Sequence, residues 1–197
     1  MDINSMAMGA YGTNCYIVSV DCKDFIIDPG VGATSWVLKN AKNPVAILNT
    51  HGHFDHVWSN AELKRSLNIP IYAPKADVFM LEDDIFSQGV PLSSADVQVD
   101  GDKSFSIDGV EIGFIHFPGH TPGCSAILIK DAFFSGDFVF KNSIGRVDFP
   151  YSDASAMKKS IKKFLDFKVN WRVYPGHGET TTVFEEQKNL PQWLRYI

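Results

Sequence analysis

The chain has 197 residues, of which 45% are hydrophobic and 21% charged, and this balance predicts one globular domain over residues 1–197. Its net charge of −5 argues against a nucleic-acid partner, because phosphate backbones select basic surfaces. A secretory signal and a membrane-spanning apolar run are both lacking, and Cys15, Cys22 and Cys124 are too widely spaced to indicate a disulfide framework. We therefore expect a cytoplasmic protein with no membrane partner.

The first part of the chain alternates strand and helix patterns. β-Branched and aromatic residues predict a hairpin of strands over residues 15–20 and 25–27, which ends at the turn sequence Asp28-Pro29-Gly30. A helix is predicted over residues 33–42, before Pro44. The continuous apolar run over residues 45–50 is typical of a buried strand, and it leads directly to His51.

The rest of the chain continues this alternation. Ser59 and Glu62 have the spacing of a capping box, which predicts a helix from Ser59 to about Leu67. Apolar residues at helical spacing predict an amphipathic helix over residues 152–167. The remaining predicted elements are strands over residues 71–73, 103–107, 110–117, 125–129, 132–134 and 171–174, a short helix over 75–81, a loop over 82–94 and a helical tail from 183.

Potential metal ligands are concentrated in the short segment that follows the strand over residues 45–50. This segment contains His51, His53, Asp55 and His56. A lone histidine is more often a packed or surface residue than a ligand, but such a density is typical of a metal site. Three further candidates lie far along the chain, each beside a glycine: His120, Asp137 and His177.

The position of these candidates relative to the predicted strands supports a single site. His51, Asp137 and His177 each follow a strand-like run directly, and His120 follows another after a Pro-Gly turn. Strand ends that a sheet holds in place fix side chains more tightly than free loops do. Two packed sheets with outer helices would bring these ends to one edge.

These residues, in this order, resemble the metallo-beta-lactamase superfamily. The resemblance runs from Thr13-Asn14-Cys15-Tyr16 and Ile27-Asp28-Pro29-Gly30 to Asn189. It implies an α/β fold, the four-layer αββα sandwich of this superfamily. It also implies two metal ions, the first bound by His51, His53 and His120, the second by Asp55, His56 and His177, with Asp137 as the bridge.

Within the superfamily, the segment Gly145-Arg146-Val147-Asp148-Phe149-Pro150 resembles the small glyoxalase-II-like branch. That likeness implies a thioesterase acting on a small-molecule thioester such as S-lactoylglutathione. Two features depart from classical glyoxalase II. Classical glyoxalase II continues into a helical domain, whereas this chain ends at Ile197, and it has a tyrosine at the position where this chain has Glu179.

The chemistry of the candidate ligands agrees with hydrolysis. Mixed imidazole and carboxylate ligands suit zinc, so we expect two zinc ions per chain, although iron and manganese accept such ligands too. Bound water then ionises near neutral pH and supplies the hydroxide that attacks a carbonyl. A thiol with a pKa near 8.5 leaves more readily than the amine of a lactam, which favours thioesters. Asp55 is the candidate proton carrier.

Several other readings stay open. Persulfide dioxygenases share the fold and resemble this sequence, including Gly123-Cys124, and they hold one iron through residues matching His51, His120 and Asp137. A mononuclear-iron dioxygenase is therefore the first alternative. Lactonases and nucleases of the fold are further alternatives, and the negative charge argues against a nuclease. A binding module without catalysis is least favoured, since every ligand position is filled.

Each of several residues near these motifs has two competing interpretations. Arg146 is our candidate for binding a substrate carboxylate, against an ion pair with Asp148. For Asp28 a turn hydrogen bond is favoured over a bond to a ligand histidine. Packing roles are favoured for His116, Cys124 and Trp58. Among the tryptophans, Trp58 is the best candidate for a pocket residue, because it lies two residues after His56.

Overall fold

Two six-stranded sheets pack face to face at the centre of the protein, and the computed structural model describes all residues 1–197. The first sheet contains, in spatial order, β1 (Asp2–Met8), β2 (Thr13–Val20), β3 (Lys23–Ile27), β4 (Pro44–Leu48), β5 (Ile71–Pro74) and β6 (Val97–Val99). The second contains β14 (Thr181–Thr182), β13 (Arg172–Pro175), β10 (Ala132–Gly136), β9 (Ser125–Ile129), β8 (Val110–His116) and β7 (Lys103–Ile107). A separate ribbon is formed by β11 (Val139–Phe140) and β12 (Ser143–Ile144).

Helices cover the outer face of each sheet. The first sheet packs against α1 (Ala33–Asn40), α2 (Phe54–Val57), α3 (Asn60–Leu67) and α4 (Val78–Glu82). The second sheet packs against α5 (Ala154–Leu165) and α6 (Val183–Trp193). The predicted αββα sandwich is therefore confirmed. None of these helices has the combination of length and apolar character that crossing a membrane demands.

The alternation of side chains along the strands explains this layering. In β3, Phe25 and Ile27 point into the core between the sheets, while Ile26 points outward against the helices. In β4, Leu48 points inward and Ile47 outward. Successive side chains of a strand face opposite sides of the sheet, so a strand buried on both faces reads as a continuous apolar run. This is the pattern that predicted β4.

Strand direction places the candidate ligands at one edge of the sandwich. Strands β3, β4 and β5 are parallel neighbours in the first sheet. Strands β10 and β13 are parallel neighbours in the second. The carboxyl ends of parallel strands lie at the same edge of a sheet, and we call the edge where these ends meet the metal edge.

Some predicted details differ in the structure. Strand β1 was not predicted, because it is an edge strand of mostly exposed polar and small residues without alternation. Ser59 precedes α3 as predicted, but its hydroxyl donates to the backbone oxygen of Gly30, so no capping box forms. The short helix over residues 75–81 is a 3-10 turn, Lys75–Asp77, followed by α4. All three cysteines are free thiols.

Candidate metal centre

Four loops at the metal edge carry the candidate ligands. His51 follows β4 after two residues, and the chain then turns through His53 into the short helix α2, which contains Asp55 and His56. The other three lie in the loop between β8 and β9, directly after β10 and after β13: His120, Asp137 and His177. Elements separated widely in sequence therefore converge on one point, as the strand-end argument predicted.

Three histidines form one compact group, the first set: His51, His53 and His120. One ring nitrogen of each lies within 4.8 Å of those of the other two. Their ring centroids are separated by 4.9 Å between His51 and His53, 5.1 Å between His51 and His120, and 4.6 Å between His53 and His120. All three are buried. Neutral imidazoles at this spacing can hold a transition-metal ion.

A second group, the second set, lies beside the first and consists of Asp55, His56 and His177. Oδ2 of Asp55 is 3.5 Å from Nε2 of His56 and 3.5 Å from Nε2 of His177. The two histidine nitrogens are 3.4 Å apart. Three donor atoms converging in this way can also hold a cation.

The carboxylate of Asp137 lies between the two sets. Its Oδ2 is 3.4 Å from Nε2 of His120, which belongs to the first set, and 3.4 Å from Nε2 of His177, which belongs to the second. Its Oδ1 is 3.3 Å from Nε2 of His56. One carboxylate can thus reach both groups, which is the arrangement of a bridging ligand.

The hydrogen-bond partners on the far side of each ring determine which nitrogen is bare. Nδ1 of His120 faces the backbone oxygen of Arg146 at 2.9 Å, and Nδ1 of His177 faces that of Tyr11 at 3.1 Å. A carbonyl only accepts, so each Nδ1 atom must carry a proton, and in the neutral form of each ring this leaves the lone pair on Nε2.

His51 and His56 follow the same rule. The hydroxyl of Thr50 donates to Oδ2 of Asp28 at 2.6 Å, so Nδ1 of His51, 3.0 Å from that hydroxyl, is the donor. Nδ1 of His56 faces Oδ2 of Asp28 at 3.0 Å. In the neutral form of all four rings, Nε2 is therefore the atom with a free lone pair, and it faces the shared centre.

Buried polar atoms without partners test whether a metal fits here. Nε2 of His51, Nε2 of His120 and Oδ1 of Asp137 are buried and make no hydrogen bond. A buried group left without a partner costs about 1–3 kcal/mol. The 3.3 Å separation between Oδ1 of Asp137 and His56 is an ion-pair distance without hydrogen-bond geometry. A divalent cation would satisfy all of these atoms at once, so the residues present fit a metal.

The electrostatic environment differs between the two sets. Burial, followed by the charge of His56, holds the pKa of His51 well below its usual value, and burial lowers the pKa of His53 to about 3. The rings of His51 and His53 are therefore neutral, and each keeps a free lone pair for a metal. For His56, burial acts downward, but the carboxylates of Asp55 and Asp137 outweigh it and raise the pKa. The second set and Asp137 therefore attract positive charge, which a metal ion supplies.

Asp28 supports the centre from behind. It accepts hydrogen bonds from the backbone N–H and hydroxyl of Thr50, at 2.8 and 2.6 Å, besides its contact with His56. Its backbone has φ 47°, in the left-handed region. The favoured turn reading of Asp28 was therefore wrong, and the bond to a candidate ligand is present. The distances among Asp28, His51 and His56 would also suit a metal ion. However, the carboxylate of Asp28 is already occupied by its hydrogen bonds to Thr50 and His56.

The second strand, β2, fixes the loop that carries His177. Thr13 pairs with His177 in an isolated bridge, and the Thr13 hydroxyl donates to Oδ2 of Asp55 at 2.6 Å. The side-chain amide of Asn14 donates to the backbone oxygens of Pro175 and Gly178, and the Tyr16 hydroxyl also donates to that of Pro175. Residues near the two ends of the chain are thereby joined at the metal edge.

Asp77, which sequence reasoning missed, joins the two loops of the first set. It is fully buried and accepts hydrogen bonds from the backbone N–H groups of Gly52 and Gly123 and from the hydroxyl of Thr121. Burial raises the pKa of Asp77. It follows β5, which runs parallel to β4, so the strand-end argument that selected His51 would have selected it too.

Close packing around Asp137 requires glycine at two positions. A Cβ atom at Gly176 would collide with Oδ1 of Asp137, and one at Gly145 would collide with the Asp137 backbone oxygen. The glycines at these two positions thus allow backbone to approach the centre.

Cys124 is a buried thiol, and His116 is a half-buried ring whose Nε2 lies 2.9 Å from the Pro122 oxygen.

A cavity of about 640 Å³ opens over the two sets. Arg146 lies on its wall, as expected for a substrate contact, and it also forms the competing ion pair, with two bonds of 2.9 and 2.8 Å to Asp148. Trp58 does not line the cavity, so the packing role favoured for it is confirmed. It packs against Phe54 and the apolar layer between the first sheet and its helices.

Comparison with known proteins agrees with this geometry. The family model of the metallo-beta-lactamase superfamily matches residues 8–177. The chain belongs to this superfamily. Its members are generally metal-dependent hydrolases, so the His and Asp groups of this metallo-beta-lactamase fold are understood as metal-binding groups.

Individual relatives cover nearly the whole chain. The hydroxyacylglutathione hydrolase GloC of Haemophilus influenzae is 31% identical over an alignment of 209 residues that covers 97% of each protein. The crystal structure of the BLEG-1 B3 metallo-beta-lactamase has a TM-score of 0.88 and 29% identity, covering 98% of this chain and 99% of that one. The crystal structure of TTHA1623 in a di-iron-bound form has a TM-score of 0.82 and 31% identity, covering 96% and 99%.

Proposed function

We propose that this protein is a binuclear metallohydrolase that cleaves small-molecule thioesters, with S-lactoylglutathione as the reference substrate. The convergence of three Nε2 atoms, those of His56, His120 and His177, on the carboxylate of Asp137 carries the proposal, because this arrangement serves a cation and no other evident purpose. The likeness to GloC supports the thioester class. The free cysteines agree with the reducing cytoplasm in which we propose that the protein acts.

Two metal ions would be held by the residues already described. We assign one to the first set and one to the second, with Asp137 shared between them. Zinc is the proposed metal, because neutral imidazole and carboxylate ligands without thiolates suit it. When bound, the two ions would supply Lewis acidity and lower the pKa of water from 15.7 to about 7.

The protein's own residues then position the groups that react. In the hydrolysis, the oxygen of water bonds to the carbonyl carbon, the carbon–sulfur bond breaks, and the sulfur leaves with its electron pair and gains a proton. We propose that Asp55 carries that proton. The Thr13 hydroxyl, which donates to Oδ2 of Asp55 at 2.6 Å, holds this carboxylate in place.

Arg146 is the proposed contact for a substrate carboxylate. Its guanidinium lies on the cavity wall, 4.1 Å from the ring centroid of Phe149. The ion pair with Asp148 is exposed, and water screens such pairs strongly, so Arg146 can exchange one partner for another.

Release of free thiol tests the proposal. The purified, zinc-replete protein should release glutathione from S-lactoylglutathione, and elemental analysis should find close to two ions per chain. A fully metallated protein that releases no thiol from any thioester contradicts the thioesterase function. One iron and no second ion, with oxygen consumption on a persulfide, supports the dioxygenase instead.

A β-lactam hydrolase is the second candidate, favoured by the structural likeness to BLEG-1. An amine leaving from a lactam needs a proton during the reaction, whereas a thiol can leave as thiolate. We therefore expect thioesters to be cleaved much faster than lactams by the same preparation. Faster turnover of a cephalosporin than of every thioester would reverse the order of the two candidates.

A further inference from the structure

The cavity above the metal centre has walls made mainly of aromatic rings. Apart from the candidate ligands, its polar lining side chains are Gln88, Arg146 and the hydroxyl-bearing Tyr11. The aromatic members of the lining are Tyr11, Phe54, Phe86, Phe140 and Phe149. Cavities that bind small molecules are commonly apolar with a few placed polar groups, and the apolar part selects the body of the ligand.

Two of these rings flank the first set. The ring of Phe86 lies 5.5 Å from that of His53, and the ring of Phe149 lies 5.9 Å from His53 and 6.0 Å from His120. Phe149 is 37% exposed, so part of its ring faces the solvent at the cavity. A ligand bound at the first set therefore lies close to two phenyl rings.

Two more rings flank the second set. Phe140 lies 5.9 Å from His177, and Tyr11, which is 62% exposed, packs edge-on against Phe54 at 5.5 Å. Apolar surface thus borders both sides of the centre. Filling this space with an apolar group removes aromatic surface from water, and this is the main source of binding free energy for such a group.

The charges in the cavity do not favour a small polar acyl group. Arg146 is the only lysine or arginine on the walls, and Asp148 already binds it through two hydrogen bonds. Gln88 is the only uncharged amide. A hydroxyl carried among the phenyl rings would lose its water without a reliable partner, which costs free energy.

We propose, building on the hydrolase function above, that this cavity selects thioesters whose acyl group is apolar or aromatic rather than the short hydroxyacyl group of lactate. The phenyl rings would enclose the acyl chain while its carbonyl reaches the metal centre. The reaction stays the same, since water and thioester give a carboxylic acid and a thiol. Arg146 remains available for a carboxylate on the thiol half.

A series of glutathione thioesters tests this selection, because a constant thiol half cancels the leaving group and any contact with Arg146. Acetyl, propionyl, butyryl, hexanoyl and phenylacetyl thioesters are compared with the lactoyl thioester. A fully buried methylene contributes about 0.8 kcal/mol, or about fourfold, so partial burial should raise kcat/KM roughly 10²-fold from acetyl to hexanoyl. Propionyl, which differs from lactoyl by one hydroxyl, should be the better substrate.

Variants assign the effect to the rings. Phe149→Ala and Phe86→Ala should flatten the dependence on chain length by about tenfold, with metal content unchanged. Phe184→Ala is the matched control, because Phe184 lies at the start of α6, is 41% exposed and does not line the cavity. It should leave the series as it is.

Binding of analogues that cannot be hydrolysed provides a readout independent of turnover. In S-alkylglutathione thioethers a methylene replaces the carbonyl, and calorimetry should show hexyl binding more tightly than hydroxypropyl, with a negative heat-capacity change. Phe149→Ala should weaken hexyl binding and leave hydroxypropyl binding almost unchanged.

The two proposals fail in different ways. If thioesters are cleaved but lactoyl equals hexanoyl and chain length has no effect, the apolar selection is wrong and the thioesterase function stands. If no thioester is cleaved, the thioesterase function is wrong, and the thioethers then decide whether the cavity takes apolar ligands. Equal binding of hexyl and hydroxypropyl groups overturns the selection in either case.

Discussion

Asp24 and Asp28 lie near opposite ends of β3, and the surroundings of these two aspartates differ. At the first end, Asp24 is buried and accepts hydrogen bonds from the Ser19 hydroxyl and from the backbone N–H groups of Lys42 and Asn43. At the metal edge, by contrast, the neighbours of Asp28 include buried ring nitrogens without a partner. One end of the sandwich is satisfied by the protein alone, and the other end needs a cation.

This contrast shows how the fold separates stability from chemistry. Hydrogen-bonded polar groups at the Asp24 end contribute to stability in any state of the protein. Unpartnered polar groups at the metal edge cost stability until an ion binds, and they are tolerated because two sheets and Asp77 hold the loops in place. Removing ligands, ions and supports in turn measures how large the difference is.

The largest effect is expected for Asp137→Ala. It removes the only carboxylate that contacts both sets, so the protein should lose metal and turnover should fall roughly 10³-fold or more, as several kcal/mol of transition-state stabilisation depend on the ions. The checks are elemental analysis and thiol release.

His116→Ala is the control for that experiment. His116 lies outside the cavity and its ring bonds only to the backbone oxygen of Pro122, so loss of the ring should leave metal content and rate within about twofold of the parent protein. Equal damage from both substitutions in folded protein would show that the proposed bridge is wrong.

Chelation should destabilise the metal edge specifically. An ion present at 1,000 times its Kd stabilises the native state by about 4.1 kcal/mol, so stripping both ions should lower Tm by roughly 10 °C or more. Hydrogen exchange should accelerate in the loops around His51, His120 and His177 and stay slow around Asp24. Zinc should restore both. An unchanged Tm in protein shown to be metal-free would contradict the contrast between the two ends.

Asp77→Ala should reduce the free energy of unfolding by about 3 kcal/mol or more, because three buried donors lose their acceptor and each costs about 1–3 kcal/mol. Asp77→Asn keeps one oxygen and should lose less. Glu82→Ala, at the exposed end of α4, is the control. Denaturation in urea measures all three. An alanine variant as stable as the control would mean that Asp77 does not hold the loops.

The smallest effect concerns the opposite end and depends on pH. Burial alone would raise the pKa of Asp24, but the Ser19 hydroxyl and the N–H groups of Asn43 and Lys42 outweigh it and lower the pKa. A lowered native pKa gives stability that is present above the unfolded pKa of about 3.9 and is lost as the pH falls through the native value.

The corresponding test is the substitution Asp24→Asn. At neutral pH it should cost about 1–2 kcal/mol, since hydrogen bonds to a charged group contribute about 1.5–3 kcal/mol. The two proteins should converge in stability as the pH falls below about 4. Asp21→Asn, on the exposed turn nearby, should show no such convergence. Parallel curves for Asp24→Asn and the parent protein would contradict the assigned cause.

The sequence predicted most of the strands and the clustering of candidate ligands because both follow local rules, whereas the sandwich was implied by the resemblance to the superfamily. Apolar runs such as that of β4 mark buried strands, and His51 stands where such a strand ends. Strand β1 was not predicted because its sequence has no strand pattern of its own, and it is a strand only through its pairing with β2. The bonds of Asp28 and Asp77 escaped because they depend on loops that only the folded sheets bring together.

The bonds between β2 and the His177 loop have a consequence for the order of folding. Asn14 and Tyr16 reach across a separation of 159 residues or more to Pro175, so these contacts close a loop that contains most of the chain. Contacts between such distant residues form slowly, because the entropy of the loop is lost before they stabilise anything. During synthesis, the first set is complete once His120 has emerged, whereas His177 emerges near the end. If the protein binds two ions as proposed, the ligands of the second come together only when both ends of the chain meet.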